Sequence, residues 1–302
     1  MKLKGHIAMI ATNVLFGLNT PISKSALQEY ISPFSLTFFR MSGACLLFWL
    51  VSLFLKSEKI RAKDLLLIFL ASMLGIFVNQ FSFVMGLSIT LPVNAALIVT
   101  ATPILTMVLS FLFRKEPITG KKAGGVFLGV GGAILLILTS HAMAGGFSGN
   151  IRGDVLCFTS SLSYALYLTA FKKLIDRYHP VTLMKWMFLF AAIVALPFCY
   201  DSVSQISFAE LPVIGYLEIT YIVVIATFVT YLLIPIGQKE LRPTTLSMYN
   251  YLQPIITTSI AVVFGLDTLG WEKVLSAVLI FTGVYLVIRS KSRAQLEAEK
   301  VQ

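Results

Sequence analysis

Apolar residues fill this chain in long runs, and short polar stretches separate them. Ten runs, at 6–27, 34–55, 64–86, 91–113, 121–139, 153–174, 181–200, 212–236, 243–265 and 271–289, stand out. Each approaches the ~20 residues that a helix needs to cross the ~30 Å apolar core of a bilayer, where the backbone must satisfy its own hydrogen bonds. The pattern predicts an all-α integral membrane protein of ten transmembrane helices. The connections are short, as suits antiparallel neighbours in a bundle. The longest, 140–152, contains HAMAGGFSGN, a flexible linker composition.

The pattern also repeats. The stretch Asn94–Ile137 is an apolar run broken by Pro103, then the polar loop RKEPITGKK, then a Gly-rich apolar run. About 151 positions later it returns as Leu246–Ile288, with Pro103 on Pro254, Glu116 on Asp267 and Gly132 on Gly283. Gly75–Gly86 aligns with Ala226–Gly237, and Gly5 with Gly153 at an offset of about 148. A long internal period fixes architecture before any residue has a role. It predicts a first repeat over 1–139, the linker 140–152, a second repeat over 153–290 and a polar tail over 291–302.

Charge sets the orientation. With the N-terminus in the cytoplasm, most of the 24 Lys and Arg fall on cytoplasmic loops, and the outside collects only Lys24, Arg152 and Lys273. Both termini are then cytoplasmic. Five helices per repeat is odd, so the second repeat enters the membrane inverted. RKEPITGKK is basic and inside, while its partner GLDTLGWEK is nearly neutral and outside. Inverted five-helix repeats are a transporter architecture, with substrate near the midplane between them. The early Lys2 and Lys4 resemble a signal peptide, but Asn13 and Asn19 interrupt the run that follows and no small-residue cleavage site appears. The run reads as a retained first helix.

Composition agrees. The chain is 57% hydrophobic and 13% charged, with a mean hydropathy of +0.85, against roughly 25% charged in a soluble domain. The net charge of +10 reads as a topology signal, and no nucleic-acid partner is expected. Cys45, Cys157 and Cys199 lie in apolar runs, and the three histidines stand far apart. Neither a metal site nor a cofactor is expected.

At this point the chain resembles the drug/metabolite transporter superfamily, EamA type, a ten-helix fold in two repeats. The resemblance rests on LFGLNTPISKSAL in the first helix, the Pro33-to-Arg40 spacing in SPFSLTFFR, and the order P…KE…G…G in the stretch from Asn94. It covers nearly the whole chain. The departures are Phe16 where a Trp is common, Asp267 where a Glu is usual, and Met187 or Phe188 where the first repeat has Arg40. The resemblance implies a multi-pass protein of the bacterial inner (cytoplasmic) membrane that exports or imports small metabolites.

Charge within a bilayer is costly, so Arg40 and Lys185 each need a reason. Either they flank a cavity and attract a substrate carboxylate, or they snorkel to helix ends. Glu218 is the carboxylate placed within a helix, and it suits either proton coupling or an interfacial role. Neutral polar residues form a set: Asn13 and Asn19, Asn79 and Gln80, Tyr164 and Tyr167, Tyr231, and Tyr249, Asn250 and Gln253. Singly they read as helix-to-helix glue. Together they predict a polar, substrate-binding cavity with aromatic walls, to which Trp186 contributes a ring. Pro103 and Pro254 lack a backbone donor and mark helices able to bend. The glycines around Gly125 and Gly129 form a close-packing face, inside the protein or at a homodimer seam.

The expected function is transport of a small metabolite, an amino acid or related compound, with export favoured, by alternating access. The expected partners are that solute and the lipid bilayer, the protein being a monomer or a homodimer. An intramembrane enzyme is the alternative, but HExxH, GxSxG and paired membrane aspartates are all missing. A receptor has no soluble sensor domain to support it.

Overall fold

A computed structural model describes residues 2–90, 95, 98–141, 150–206, 211–263 and 270–291. Asp267, the body of the linker and the tail beyond Lys291 lie outside the described residues. Among the described residues the chain is helical throughout, with turns between.

Helix α1 runs over Lys2–Glu29 and α2 over Pro33–Ser52. Pro33 starts α2 because its missing N–H is not needed there, and Ser32 caps the end by accepting from Ser35 N at 3.1 Å. Helix α3, Ala62–Ser72, passes through a π-helical segment, Met73–Val78, into α4, Asn79–Ile89. Helix α5 covers Thr102–Arg114 and α6 covers Gly120–His141. Between them Lys115 adopts φ 51°, the left-handed turn that closes α5.

The second half follows the same order. Helix α7 covers Ile151–Ala170, the short α8 Lys172–Arg177, and α9 Pro180–Ser204, which again opens on a proline after a capping residue, His179. Helix α10, Val213–Thr220, passes through a π segment, Tyr221–Val229, into α11, Thr230–Glu240. Helix α12, Pro243–Met248, runs through a 3-10 turn, Tyr249–Tyr251, into α13, Leu252–Val263. Helix α14 is Trp271–Ile288.

Six of these rods are long and apolar enough to cross a membrane, and α5 is a shorter apolar helix. Helices α1 and α7 are long but more polar. They carry Asn13, Asn19, Lys24 and Arg152, Ser160, Ser163 respectively, which lowers their hydropathy for a reason given below. Phe54, Leu66, Phe127, Val213 and Phe281 stand exposed on the outside. Such large apolar side chains suit lipid contact.

Packing pairs the helices in a regular way. Helix α2 lies along α9, α4 along α7, α1 along α11, and α6 along α14. Small residues allow the closest approaches. A Cβ on Gly125 would meet Gly283 O at 2.7 Å, and one on Gly132 would meet Ser276 O at 2.8 Å, so α6 and α14 touch backbone to backbone. The Gly125–Gly129 face is thus internal packing, against α14 and the Tyr251 ring, while Gly124 and Gly131 face open space. Gly86 packs on the backbone of Gly153, and Gly237 packs on Met9 one turn from Gly5. The main core lies between α2 and α9, where the Phe48 and Phe188 rings stack at 5.5 Å.

Candidate functional site

Asn19 and Thr20 of α1 and Ser160, Ser161 and Tyr164 of α7 face a cavity. It is partly open, with about 700 Å³ of empty space, mouth included. Its wall draws on both halves: Asn19 and Thr20 of α1, Arg40 of α2, Asn79 and Gln80 of α4, Thr102 of α5, Ser160, Ser161 and Tyr164 of α7, Tyr231 of α11, and Asn250 and Gln253 at the α12–α13 junction. Phe16, Phe83, Val99 and Ile234 complete it.

The two π segments prepare this wall. A π segment inserts an extra residue into a helical turn and shifts the face that follows, and such segments recur at functional sites. Asn79 and Gln80 come directly after the first, and Thr230 and Tyr231 directly after the second. The prolines act on the same wall. Each removes the N–H that would bond the carbonyl four residues earlier. Those carbonyls belong to Val99 and Asn250, and both residues line the cavity. Pro103 stands in the first turn of α5 and Pro254 near the start of α13, so helix restarts at each.

Arg40 is the charged group in the wall. It is 4% exposed. Its Nε donates to Thr227 Oγ1 at 3.0 Å, and Thr227 returns its own hydroxyl to Ile222 O at 2.7 Å, within the second π segment. Among the described residues no carboxylate pairs with the guanidinium, and Arg40 has no other hydrogen bond. Beside it the Tyr231 hydroxyl lies 3.4 Å from Gly75 O and 3.5 Å from Asn79 Oδ1, and Asn79 donates to Ser160 Oγ at 3.0 Å. Gln80 lies close to Tyr231, yet its buried amide nitrogen and oxygen make no well-formed hydrogen bond.

Eight of the expected binding residues therefore share one wall: Asn19, Arg40, Asn79, Gln80, Tyr164, Tyr231, Asn250 and Gln253. The others lie behind it or apart. Asn13 accepts from Gln253 Nε2 at 2.9 Å and braces it from behind. The Tyr167 hydroxyl donates to Gln238 Oε1 at 3.1 Å. Tyr249 hydrogen-bonds His6. Lys185 sits over the Trp49 ring, 4.8 Å from its centroid, and Trp186 meets Trp49 edge-on at 5.7 Å. Neither of these two α9 residues is in the wall; both are engaged with Trp49 of α2. Glu218 lies in the last turn of α10 by Tyr30, also outside the wall.

Phe16, Phe83, Val99, Thr102, Ser161 and Ile234 were missed as wall residues. Val99 had a signal: the offset that relates Pro103 to Pro254 relates Val99 to Asn250. Thr227 as the partner of Arg40 had none, because composition does not mark a π segment.

A second cluster ties the start of α3 to the α8–α9 turn. Arg177 places one nitrogen 2.7 and 2.6 Å from the two oxygens of Asp64, and the Tyr178 hydroxyl donates to Asp64 at 2.6 Å. Its hydrogen bond to Asp64 raises the Arg177 pKa further, and burial pushes the Tyr178 phenol up, so one stays charged and the other neutral.

The comparisons with known proteins decide the family. Residues 3–138 and 151–289 match the EamA-like transporter family. The chain belongs to that family. It is similar to an uncharacterized transporter of Archaeoglobus fulgidus, 25% identical, with 96% of this chain and 100% of that one covered. It is also similar to the uncharacterized transporter YyaM of Bacillus subtilis, 24% identical, with 92% of each covered. A WAT1-related protein of Arabidopsis thaliana is 24% identical over 98% of this chain and 93% of its own. One solved crystal structure superposes with a TM-score of 0.77 at 17% identity, covering 95% of this chain and 98% of that one. It shares the fold. This EamA-family chain is a multi-pass protein of the cytoplasmic membrane, a transporter rather than an enzyme.

Proposed function

We propose that this transporter moves a small metabolite outward by alternating access of the central cavity. In this reading ten spans form two inverted repeats with cytoplasmic termini, and substrate sits between the halves. The carrying observation is that matching positions of both halves line one cavity: Gln80 with Tyr231, Phe83 with Ile234, Val99 with Asn250, and Thr102 with Gln253. Support also comes from the packing, in which α4 on α7 has its counterpart in α11 on α1, while α2–α9 and α6–α14 pair with their own counterparts. The two blocks of family match divide the chain at the linker.

The prolines supply the moving parts. A helix that restarts at Pro103 or Pro254 bends there at low cost, so the α5 and α13 segments rock while the α6–α14 pair stays fixed. Purified protein alone in proteoliposomes should carry out solute flux, and a crosslink fixing α5 to α12 should stop it. Flux that survives the crosslink counts against rocking. Glu218 lies outside the wall, so Glu218→Gln is expected to leave any dependence on a pH gradient unchanged.

A further inference from the structure

Among the described residues Arg40 is a buried cation without an anion. We propose that the central cavity selects small monoanionic carboxylates, with the carboxylate held by the terminal nitrogens of Arg40; this rests on the cavity being the transport site. A guanidinium taken out of water without a counter-ion is costly, and a lone buried charge is normally paired. Here the Nε bond to Thr227 leaves the terminal nitrogens without a protein acceptor among the described residues. The fork of an arginine matches a carboxylate in two parallel hydrogen bonds.

The rest of the wall narrows the class. Its side chains are amides, hydroxyls and rings, and none of the lining residues is Asp or Glu. One guanidinium neutralises one negative charge. A phosphate monoester carries about −1.5 to −2 at neutral pH, so it would bring excess charge. A zwitterion brings an ammonium that no acidic side chain in the wall neutralises. A monocarboxylate whose second polar group is neutral, a hydroxyl or an acylated nitrogen, leaves the site balanced. That neutral group has a partner within reach: the Gln80 amide is 2% exposed and lies beside Tyr231 without a well-formed hydrogen bond to it. Phe16, Phe83 and Tyr164 then surround the apolar body.

The test uses wild-type, Arg40→Lys and Arg40→Gln protein in proteoliposomes. The probes are lactate and phenyllactate, the amides lactamide and phenyllactamide, and the amino acids alanine and phenylalanine. In the wild type at least one acid should compete for flux better than its amide and its amino acid by on the order of 10- to 100-fold, the worth of a hydrogen bond to a charged group. Arg40→Lys should keep part of that preference, and Arg40→Gln should lose it. An amide or amino acid that competes as well as its acid overturns the proposal. So does an Arg40→Gln protein that keeps the preference. Should Arg40→Gln fail to accumulate, the wild-type series and Arg40→Lys still decide. Should no solute move at all, the transport reading fails separately. The same six probes are then tested for thermal stabilisation of the detergent-solubilised wild type. Stabilisation by an acid and not by its amide upholds the Arg40 site, and no difference between them removes it.

Discussion

Tyr178 donates its hydroxyl to Asp64 at 2.6 Å, where Arg177 also binds, and this fastens one end of the bundle. About 148 positions earlier stands Tyr30, whose ring lies on Gly215. Gly215 stands where the first repeat has Asp64, so the aromatic residue at the equivalent end has no carboxylate at that position; Glu29 and Glu218 lie beside Tyr30 instead. In the inverted-repeat reading the fastened end is cytoplasmic, so the structure is latched on that side.

Breaking the latch should open that side. Asp64→Asn keeps the shape of the side chain and removes the charge that holds Arg177. Spin labels at Lys63 and Lys173, on the two elements the cluster joins, should report a longer and broader distance distribution in Asp64→Asn than in an otherwise wild-type protein. An unchanged distribution would show that helix packing alone holds this end shut.

The glycine contacts give a stability prediction. A Cβ at Gly125 would come within 2.7 Å of Gly283 O, so α6 and α14 must separate to admit it. Overpacking of this kind costs about 1–3 kcal/mol. Gly125→Ala should lower the unfolding temperature in detergent, and Gly131→Ala, with nothing within 4 Å of its Cβ, should not. Equal melting of the two variants would mean that the α6–α14 contact is looser than described.

Much of this architecture was legible before any coordinates. Apolar run length marks spans because a bilayer leaves a helix no other partner for its backbone. Pro33, Pro180 and Pro243 each open a helix, where a residue without an N–H is tolerated. The site was harder to read. Asn79 and Asn13 are the same residue type on polar helix faces, yet Asn79 lines the cavity and Asn13 braces Gln253 from behind. Spacing gives the face of a straight helix, and two π segments rotate the faces that matter. Lys185 shows the same limit. It stands in the helix that pairs with that of Arg40, but a tryptophan on α2 draws it to another surface.

A buried amide makes a sharper test of packing near the cavity. Gln238 Nε2 is buried without a partner, and Gln238 Oε1 accepts from Tyr167. Tyr167→Phe leaves the whole amide unsatisfied and should cost about 1–3 kcal/mol. Adding Gln238→Leu removes the stranded polar group, and replacing both partners by apolar groups is often nearly neutral. The double variant should therefore melt above Tyr167→Phe alone. Additive losses would show that water or another group already serves Gln238.

The last prediction concerns how Arg40 is aimed. Thr227 Oγ1 accepts from Arg40 Nε at 3.0 Å while it donates to Ile222 O, a bond that the π segment makes available. Val has nearly the shape of Thr without the hydroxyl, so Thr227→Val should keep the fold and free the guanidinium to turn. The charge remains in the cavity, but its donor fork is no longer fixed. Carboxylate flux should then show a raised KM, by about tenfold for one lost hydrogen bond to a charged group, with a smaller change in maximal rate. Thr230→Val is the control. Its hydroxyl bonds the Ala226 and Thr227 carbonyls of its own helix and touches no charge. Those carbonyls keep their place without it, so KM should stay near wild type. If the two variants raise KM alike, Thr227 acts only through the helix it stands in, and Arg40 is positioned by the packing around it.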